Sequence, residues 1–200
     1  MSLITADNLT LMRGHTPILR HISIRVARGE AIHLTGDNGS GKTTLLQALA
    51  GLFTVHGGHI ERHSNLLYLG HRPGVKAGLS VKENLQLAAR LYHQMTHPQL
   101  HNQVEEAIEQ VGLLKQRDRQ TRFLSAGQQR RCQLARLWLN TPPLWLLDEP
   151  LTALDTHGVK RLAERCAEHC DNGGGLIITS HQPFYIPSHT LNTYSLSDYA

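Results

Sequence analysis

Aromatic side chains are scarce, at 5% of 200 residues. Packing must therefore rest on Leu, Ile, Val and Ala, as expected of an α/β protein. Basic clusters with interleaved aromatics are missing as well, so nucleic-acid binding is not expected. No apolar run approaches the roughly eighteen residues that a membrane-spanning helix needs. The stretch Met1-Ser-Leu-Ile-Thr-Ala-Asp-Asn8 lacks a basic segment followed by an apolar one, so no signal peptide is expected. Cysteine is limited to three, an odd count without scaffold spacing, which points to a reduced, cytoplasmic setting. Like-charged blocks are absent too. The net charge of +4 suits an anionic ligand, an anionic membrane surface or nucleic acid, and does not choose among them.

What is present begins with Gly36-Asp-Asn-Gly-Ser-Gly-Lys-Thr-Thr44, which satisfies G-x-x-x-x-G-K-[ST]. Ala31-Ile-His-Leu-Thr35 before it reads as a buried strand. Thr43-Thr-Leu-Leu-Gln-Ala-Leu-Ala50 after it has apolar residues at helical spacing. Strand, glycine loop and helix N-terminus together make a phosphate cradle. Gly36, Asp37, Asn38, Gly39, Ser40 and Gly41 bring backbone N–H groups to an anion, and the helix adds its positive dipole end. Lys42 can reach terminal phosphates, and the Thr43 hydroxyl can ligate Mg²⁺, with Thr44 completing the motif.

The first thirty residues read as β-structure. Ile4–Met12 and His21–Val26 form strands either side of a turn at Gly14 and Pro17. Leu66–Leu69 is another short strand. The middle is mostly helical, from about 72 to 140. Ser80 and Glu83 spell a capping box for a helix to about His93. Thr96 and Pro98 restart one that stops at Gly112, and a third runs from Ser125 to about Leu139. After Pro142-Pro143 the β/α pattern resumes, with a helix at about 157–171. Cys166, His169 and Cys170 fall on that helix. A zinc site wants four ligands and no second cysteine pair exists, so packed cysteines are expected there.

Leu144-Trp-Leu-Leu-Asp-Glu149 is an apolar strand ending in two carboxylates. Asp148 can hold Mg²⁺, and Glu149 can take a proton from an attacking water. Leu124-Ser-Ala-Gly-Gln128 opens the third helix with a hydroxyl and a glycine backbone, a second anion site. One nucleotide does not need two such sites from one chain. Ser125 and Gly127 make sense if they serve the nucleotide of a second copy, in a two-fold pair. His181 follows the strand Leu176–Ile178 and can touch a γ-phosphate. Asp155, in Leu151-Thr-Ala-Leu-Asp155, can link two copies.

In this order, the segments closely resemble the nucleotide-binding domain of ABC ATPases, over essentially the whole chain. The Walker A loop matches Gly36–Thr44, and the Walker B strand matches Leu144–Glu149. The signature motif, usually L-S-G-G-Q, matches Leu124–Gln128 with Ala126 in place of the first Gly, and so adds Gln128 to the cofactor-binding set. The D-loop matches Leu151–Asp155, and the switch histidine matches His181. The resemblance implies an α/β P-loop NTPase fold. Its RecA-like core and N-terminal antiparallel β-subdomain would occupy residues 1–71 and 141–200, and its inserted helical signature subdomain residues 72–140. It also implies ATP and Mg²⁺ as cofactors, and a head-to-tail dimer that closes on ATP and opens after hydrolysis.

Two departures narrow the match. His71, in Tyr68-Leu-Gly-His-Arg-Pro73, stands where the family usually has a Gln that senses Mg²⁺ and the attacking water. Arg13 falls where an aromatic residue usually stacks on adenine; its plane can stack on a base, or it is a surface arginine. With L-S-A-G-Q and a length near 200, these features resemble the ATP-binding subunits of cytochrome c maturation systems, often described as haem exporters. That branch implies membrane partners of the CcmB and CcmC kind and a peripheral place on the cytoplasmic face of the inner membrane. ATP turnover there would drive haem export or release of a haem-loaded chaperone. No haem pocket is legible, so direct haem contact is not expected. An ABC ATPase serving another substrate and a soluble ABC protein remain the alternatives. Arg72, Lys76, Lys82 and Arg90 can face a partner, lipid headgroups or solvent.

Overall fold

A computed structural model describes residues 1–92, 97–139 and 141–196. Two compact units emerge. One comprises Met1–His71, Pro142–Pro150 and Cys166–Ala200; the other comprises Arg72–Thr141 and Leu151–Arg165. A linear reading leaves 151–165 with the core, whereas the packing groups them with the helical unit.

The first unit holds two sheets. Strands β1 (Ser2–Arg13), β2 (Thr16–Ala27) and β4 (Gly57–Arg62) form an antiparallel sheet in the order β2-β1-β4. The second sheet joins β3 (Ala31–Thr35), β5 (Leu66–Leu69), β6 (Leu144–Leu147), β7 (Gly175–Thr179) and β8 (Leu191–Ser195). Its order is β5-β6-β7-β3-β8 and every pair is parallel. β6 and β7 are buried at every residue. Continuous apolar runs are what a central parallel strand, covered on both faces, requires. Leu9, Ile24, Leu34, Leu46, Leu146 and Ile177 belong to one core shared by both sheets and helix α1 (Lys42–Leu49).

Strands β4 and β8 carry no legible sequence signal. Both are edge strands of mostly polar residues, and none of their residues is fully buried. β1 and β2 pair across several register shifts, and Asn8 (φ 52°) and His21 (φ 57°) sit at left-handed angles there. Their side chains meet, Asn8 Oδ1 to His21 Nδ1 at 2.8 Å.

In the helical unit, α2 (Val81–Tyr92) and α3 (His97–Gln110) bury residues at three- and four-residue spacing. These are Val81, Leu85, Ala88 and Ala89 on one, and Leu100, Val104, Ala107 and Ile108 on the other. The expected capping box forms. Ser80 Oγ accepts from Glu83 N (3.1 Å), and Glu83 Oε2 accepts from Ser80 N (2.7 Å). Thr96 as the start of the next helix and His93 as the end of the previous one lie outside the described residues. Asn84, buried on α2, donates to the carbonyls of Lys76, Leu79 and Ser80 and accepts from Lys76 N, which ties the incoming loop to the helix. Lys82 pairs with Glu105 at 2.8 Å, so of the four basic residues singled out it is held within its own unit.

Helix α4 (Ala126–Leu134) is shorter than its sequence suggests. It tightens into a 3₁₀ turn over Ala135–Trp138, a common way for a helix to end. Helix α5 (Thr156–Asp171) follows β6, as read.

Candidate functional site

The turn from β3 into α1 has positive φ at Gly36, Gly39 and Gly41 (145°, 87° and 94°). At Gly41 a side chain is excluded twice over. The angle is left-handed, and a Cβ would lie 2.9 Å from Leu19 Cγ and 3.0 Å from Ile18 Cγ2. Lys42, at the first turn of α1, is nearly buried and folds back over the loop. Its Nζ donates to the carbonyls of Gly36 (2.6 Å) and Asp37 (2.9 Å). The cation thus lies along the concave backbone that the motif builds. Ser40 Oγ is buried without a hydrogen-bond partner among the described residues.

Asp148, 1% exposed, follows the end of β6, and its backbone N–H donates to Leu69 O on β5 (2.8 Å). Thr43 Oγ1 lies 3.1 and 3.0 Å from its two carboxylate oxygens, and Thr179 Oγ1 donates to Oδ1 at 3.0 Å. Tyr68 adds a third hydroxyl. It lies beside Asp148 and Gln47, and burial first, then the Asp148 charge, push its phenol up from its usual range. A buried carboxylate costs several kcal/mol unless donors satisfy it, and these hydroxyls do so. An aspartate and a threonine oxygen this close form a hard, all-oxygen site whose chemistry fits Mg²⁺.

Glu149 has φ 50°, a left-handed angle that costs a non-glycine residue about 1–2 kcal/mol. Its N–H donates to Thr179 Oγ1 at 2.8 Å, so one buried threonine holds both acidic residues. Strain of this kind concentrates at functional sites. His181 Nε2 stands 3.4 Å from Glu149 Oε1, with the imidazole half exposed. The loop that carries His181 is tied back to β3 by His33 Nε2, 3.3 Å from Ser180 O.

One cavity of about 390 Å³ gathers Arg13, Ile18, Asn38, Gly39, Gly41, Lys42, Thr43, Thr44, His71, Asp148, Glu149 and His181. Residues from six separated segments of the sequence thus converge. Both departures from the family pattern, Arg13 and His71, line the same space. Sequence reasoning missed Thr179 and Tyr68. Neither has a motif role, and only the β-register brings them beside Asp148.

Ser125, Gly127, Gln128 and Asp155 belong to the other unit. Ser125 caps α4 in a reciprocal pair with Gln128: Ser125 Oγ accepts from Gln128 N (3.2 Å), and Gln128 Oε1 accepts from Ser125 N (3.0 Å). His169 is engaged inside the fold. Its ring stacks on Trp145 (3.6 Å between centroids, 10° between planes), and Nε2 donates to Pro143 O at 3.0 Å. Cys132 and Cys170 are buried thiols that burial pushes up to about 11. Among the described residues no helix is long and apolar enough to cross a membrane.

Comparison with known proteins places this geometry. The family model described as ABC transporter matches residues 19–152. The chain is 39% identical to the cytochrome c biogenesis ATP-binding export protein CcmA of Escherichia coli (strain K12), over 98% of each chain. Among solved structures, a putative ABC transporter ATP-binding protein from Pyrococcus furiosus superposes with a TM-score of 0.81 at 25% identity, covering 98% of both chains. The ATP-binding cassette MJ0796, in a dimeric post-hydrolysis state bound to ADP and Pi, superposes with a TM-score of 0.79 at 20% identity, covering 90% of this chain and 88% of that one. A match from β2 through the acidic pair, and a relative aligned almost end to end, leave one assignment: this chain belongs to the ABC transporter family of ATP-binding proteins.

Proposed function

We propose that this chain hydrolyses ATP as the peripheral subunit of a membrane complex for cytochrome c biogenesis, coupling turnover to haem export or to release of a haem-loaded chaperone. The observation that carries the enzymatic part is the cavity that brings Lys42, Thr43, Asp148, Glu149 and His181 together. The cytochrome c assignment rests on the full-length likeness to CcmA.

In this reading the loop N–H groups and Lys42 bind the β- and γ-phosphates of ATP. Thr43 and Asp148 hold Mg²⁺, which offsets phosphate charge when bound. Thr179 and Tyr68 keep the Asp148 carboxylate oriented. Glu149 accepts the proton of the attacking water, and His181 donates a hydrogen bond toward the γ-phosphate while keeping Glu149 in place. His71 orients that water through a ring nitrogen, in place of the usual glutamine. Arg13 stacks its plane on the adenine, beside Ile18. Two copies pair head to tail, so that Ser125, Gly127 and Gln128 of one close on the nucleotide of the other and Asp155 links the two. Membrane subunits of the CcmB and CcmC kind receive the motion, at the cytoplasmic face of the inner membrane. Cargo choice would lie with them, since the cavity is built for a nucleotide.

Glu149→Gln tests the pairing and the partners together. Tagged protein isolated from native membranes with ATP and Mg²⁺ is expected as a trapped dimer with haem-handling membrane proteins. A different permease would move the cargo assignment to that permease. Recovery of soluble or ribosomal proteins alone would refute the transporter-subunit reading.

A further inference from the structure

Within the helical unit, the signature helix and the segment after the acidic pair are fastened to one another. Arg131 lies on α4, six residues beyond its cap Ser125. Its Nη2 donates to Asp155 Oδ2 at 2.5 Å. The other oxygen of the same carboxylate, Oδ1, accepts from Gly158 N at 2.8 Å, and Val159 N donates to Asp155 O at 3.0 Å. Asp155 therefore caps α5 and grips α4 at once. Its carboxyl is held below the usual range, first by the Gly158 N–H and then by the Arg131 charge.

The backbone closes over the same contact. A Cβ on Gly127 would lie 2.9 Å from Ala153 O, so only glycine lets the D-loop carbonyl come this near to the signature turn. Ala153 has φ 63°, a left-handed angle for a non-glycine residue, and Leu154 N turns back to Leu151 O at 3.1 Å. A strained five-residue loop on an exposed surface keeps one conformation only where something over-determines it. Here the determinants are the Asp155 cap and the guanidinium of Arg131.

We propose that Arg131 is a positioning residue. By holding Asp155, it seats Leu151–Asp155 against the first turn of α4, so that Ser125, Gly127 and Asp155 meet a second copy as one preformed surface. The role rests on the head-to-tail pairing put forward above. Its physical basis is preorganisation. A loop already fixed before association does not lose its conformational freedom during it, so a lower ATP concentration suffices to close the pair. Arg131 itself touches neither nucleotide nor metal in this scheme. Lysine can supply the charge but not the planar fork, so Arg131→Lys should rescue in part.

The test uses full-length protein in the Glu149→Gln background. Arg131→Ala, Arg131→Lys and Asp155→Asn are each compared with Glu149→Gln alone. Two quantities are read: the ATP concentration that gives half-maximal dimer by light scattering, and the amide exchange of residues 154–159 in the nucleotide-free monomer. Expected for Arg131→Ala is an increase of at least tenfold in both the ATP midpoint and the exchange rate, with Arg131→Lys in between. Asp155→Asn keeps an oxygen for Gly158 N but loses the charge, and should move both readouts in the same direction. An unchanged ATP midpoint, or unchanged exchange over 154–159, would overturn the role of Arg131. If Glu149→Gln alone stays monomeric with ATP and Mg²⁺, the pairing reading fails first, and the presented-surface role falls with it. Should Arg131→Ala not fold, the Lys and Asn variants decide the matter by the same two measurements.

Discussion

Replacing Thr179 by Val keeps the side-chain volume and removes a single hydroxyl from a fully buried position. That hydroxyl donates to Asp148 Oδ1 at 3.0 Å and accepts from Glu149 N at 2.8 Å. Losing a hydrogen bond to a charged group costs about 1.5–3 kcal/mol, and a buried N–H left without its partner costs about 1–3 kcal/mol. The two losses share one site and do not simply add, so about 3–5 kcal/mol is expected. For a chain of this length each kcal/mol moves Tm by about 2–4 °C, which gives a drop of roughly 10 °C. Thr179→Ser retains the hydroxyl and loses one methyl, and should cost only about 1 kcal/mol. Differential scanning calorimetry of both variants, with ATP turnover measured alongside, separates bonding from packing. Turnover in Thr179→Val should fall at least tenfold, because Asp148 and Glu149 both lose an anchor. If Val and Ser variants unfold at the same temperature, the bridging threonine does not hold the acidic pair and the reasoning fails.

Gly41→Ala should lower stability by about 2–4 kcal/mol, from the left-handed angle and the approach to Leu19 and Ile18, and should abolish nucleotide binding. Titration with a fluorescent ATP analogue reads the second effect, and binding at the parent affinity would contradict the loop geometry. Cys132 and Cys170, with thiols pushed up to about 11 by burial, should resist alkylation at pH 8 in the native state and react on denaturation. Mass spectrometry after iodoacetamide treatment counts the adducts, and rapid native labelling of either would show that these helices open easily.

Much of the site was legible in linear order because its chemistry is local. The phosphate loop needs glycines, Lys42 and Thr43 at consecutive positions, and a strand and a helix on either side are written in period and composition. The α/β class follows from the same patterns, as does the capping box at Ser80. Where local signals were weak, the sequence was silent. β4 and β8 are polar edge strands that composition cannot tell from loops. The change from α-helix to 3₁₀ turn at Ala135 has no local signal in the sequence.

Tertiary structure decided what depends on register and on distance through space. Thr179 and Tyr68 reach Asp148 because β7 and β5 flank β6 in a parallel sheet, at positions far apart in the chain. Cys166, His169 and Cys170 were expected as packed residues of one helix, and the fold adds the partners of His169, Trp145 and Pro143. Asp155 was expected to link two copies, and packing adds Arg131 and the start of α5 as its partners within the chain. The sequence by itself determined which chemical groups the protein owns and where the backbone can turn. Only folding could determine which donors surround each charge, because that follows from the order of strands and not from the order of residues.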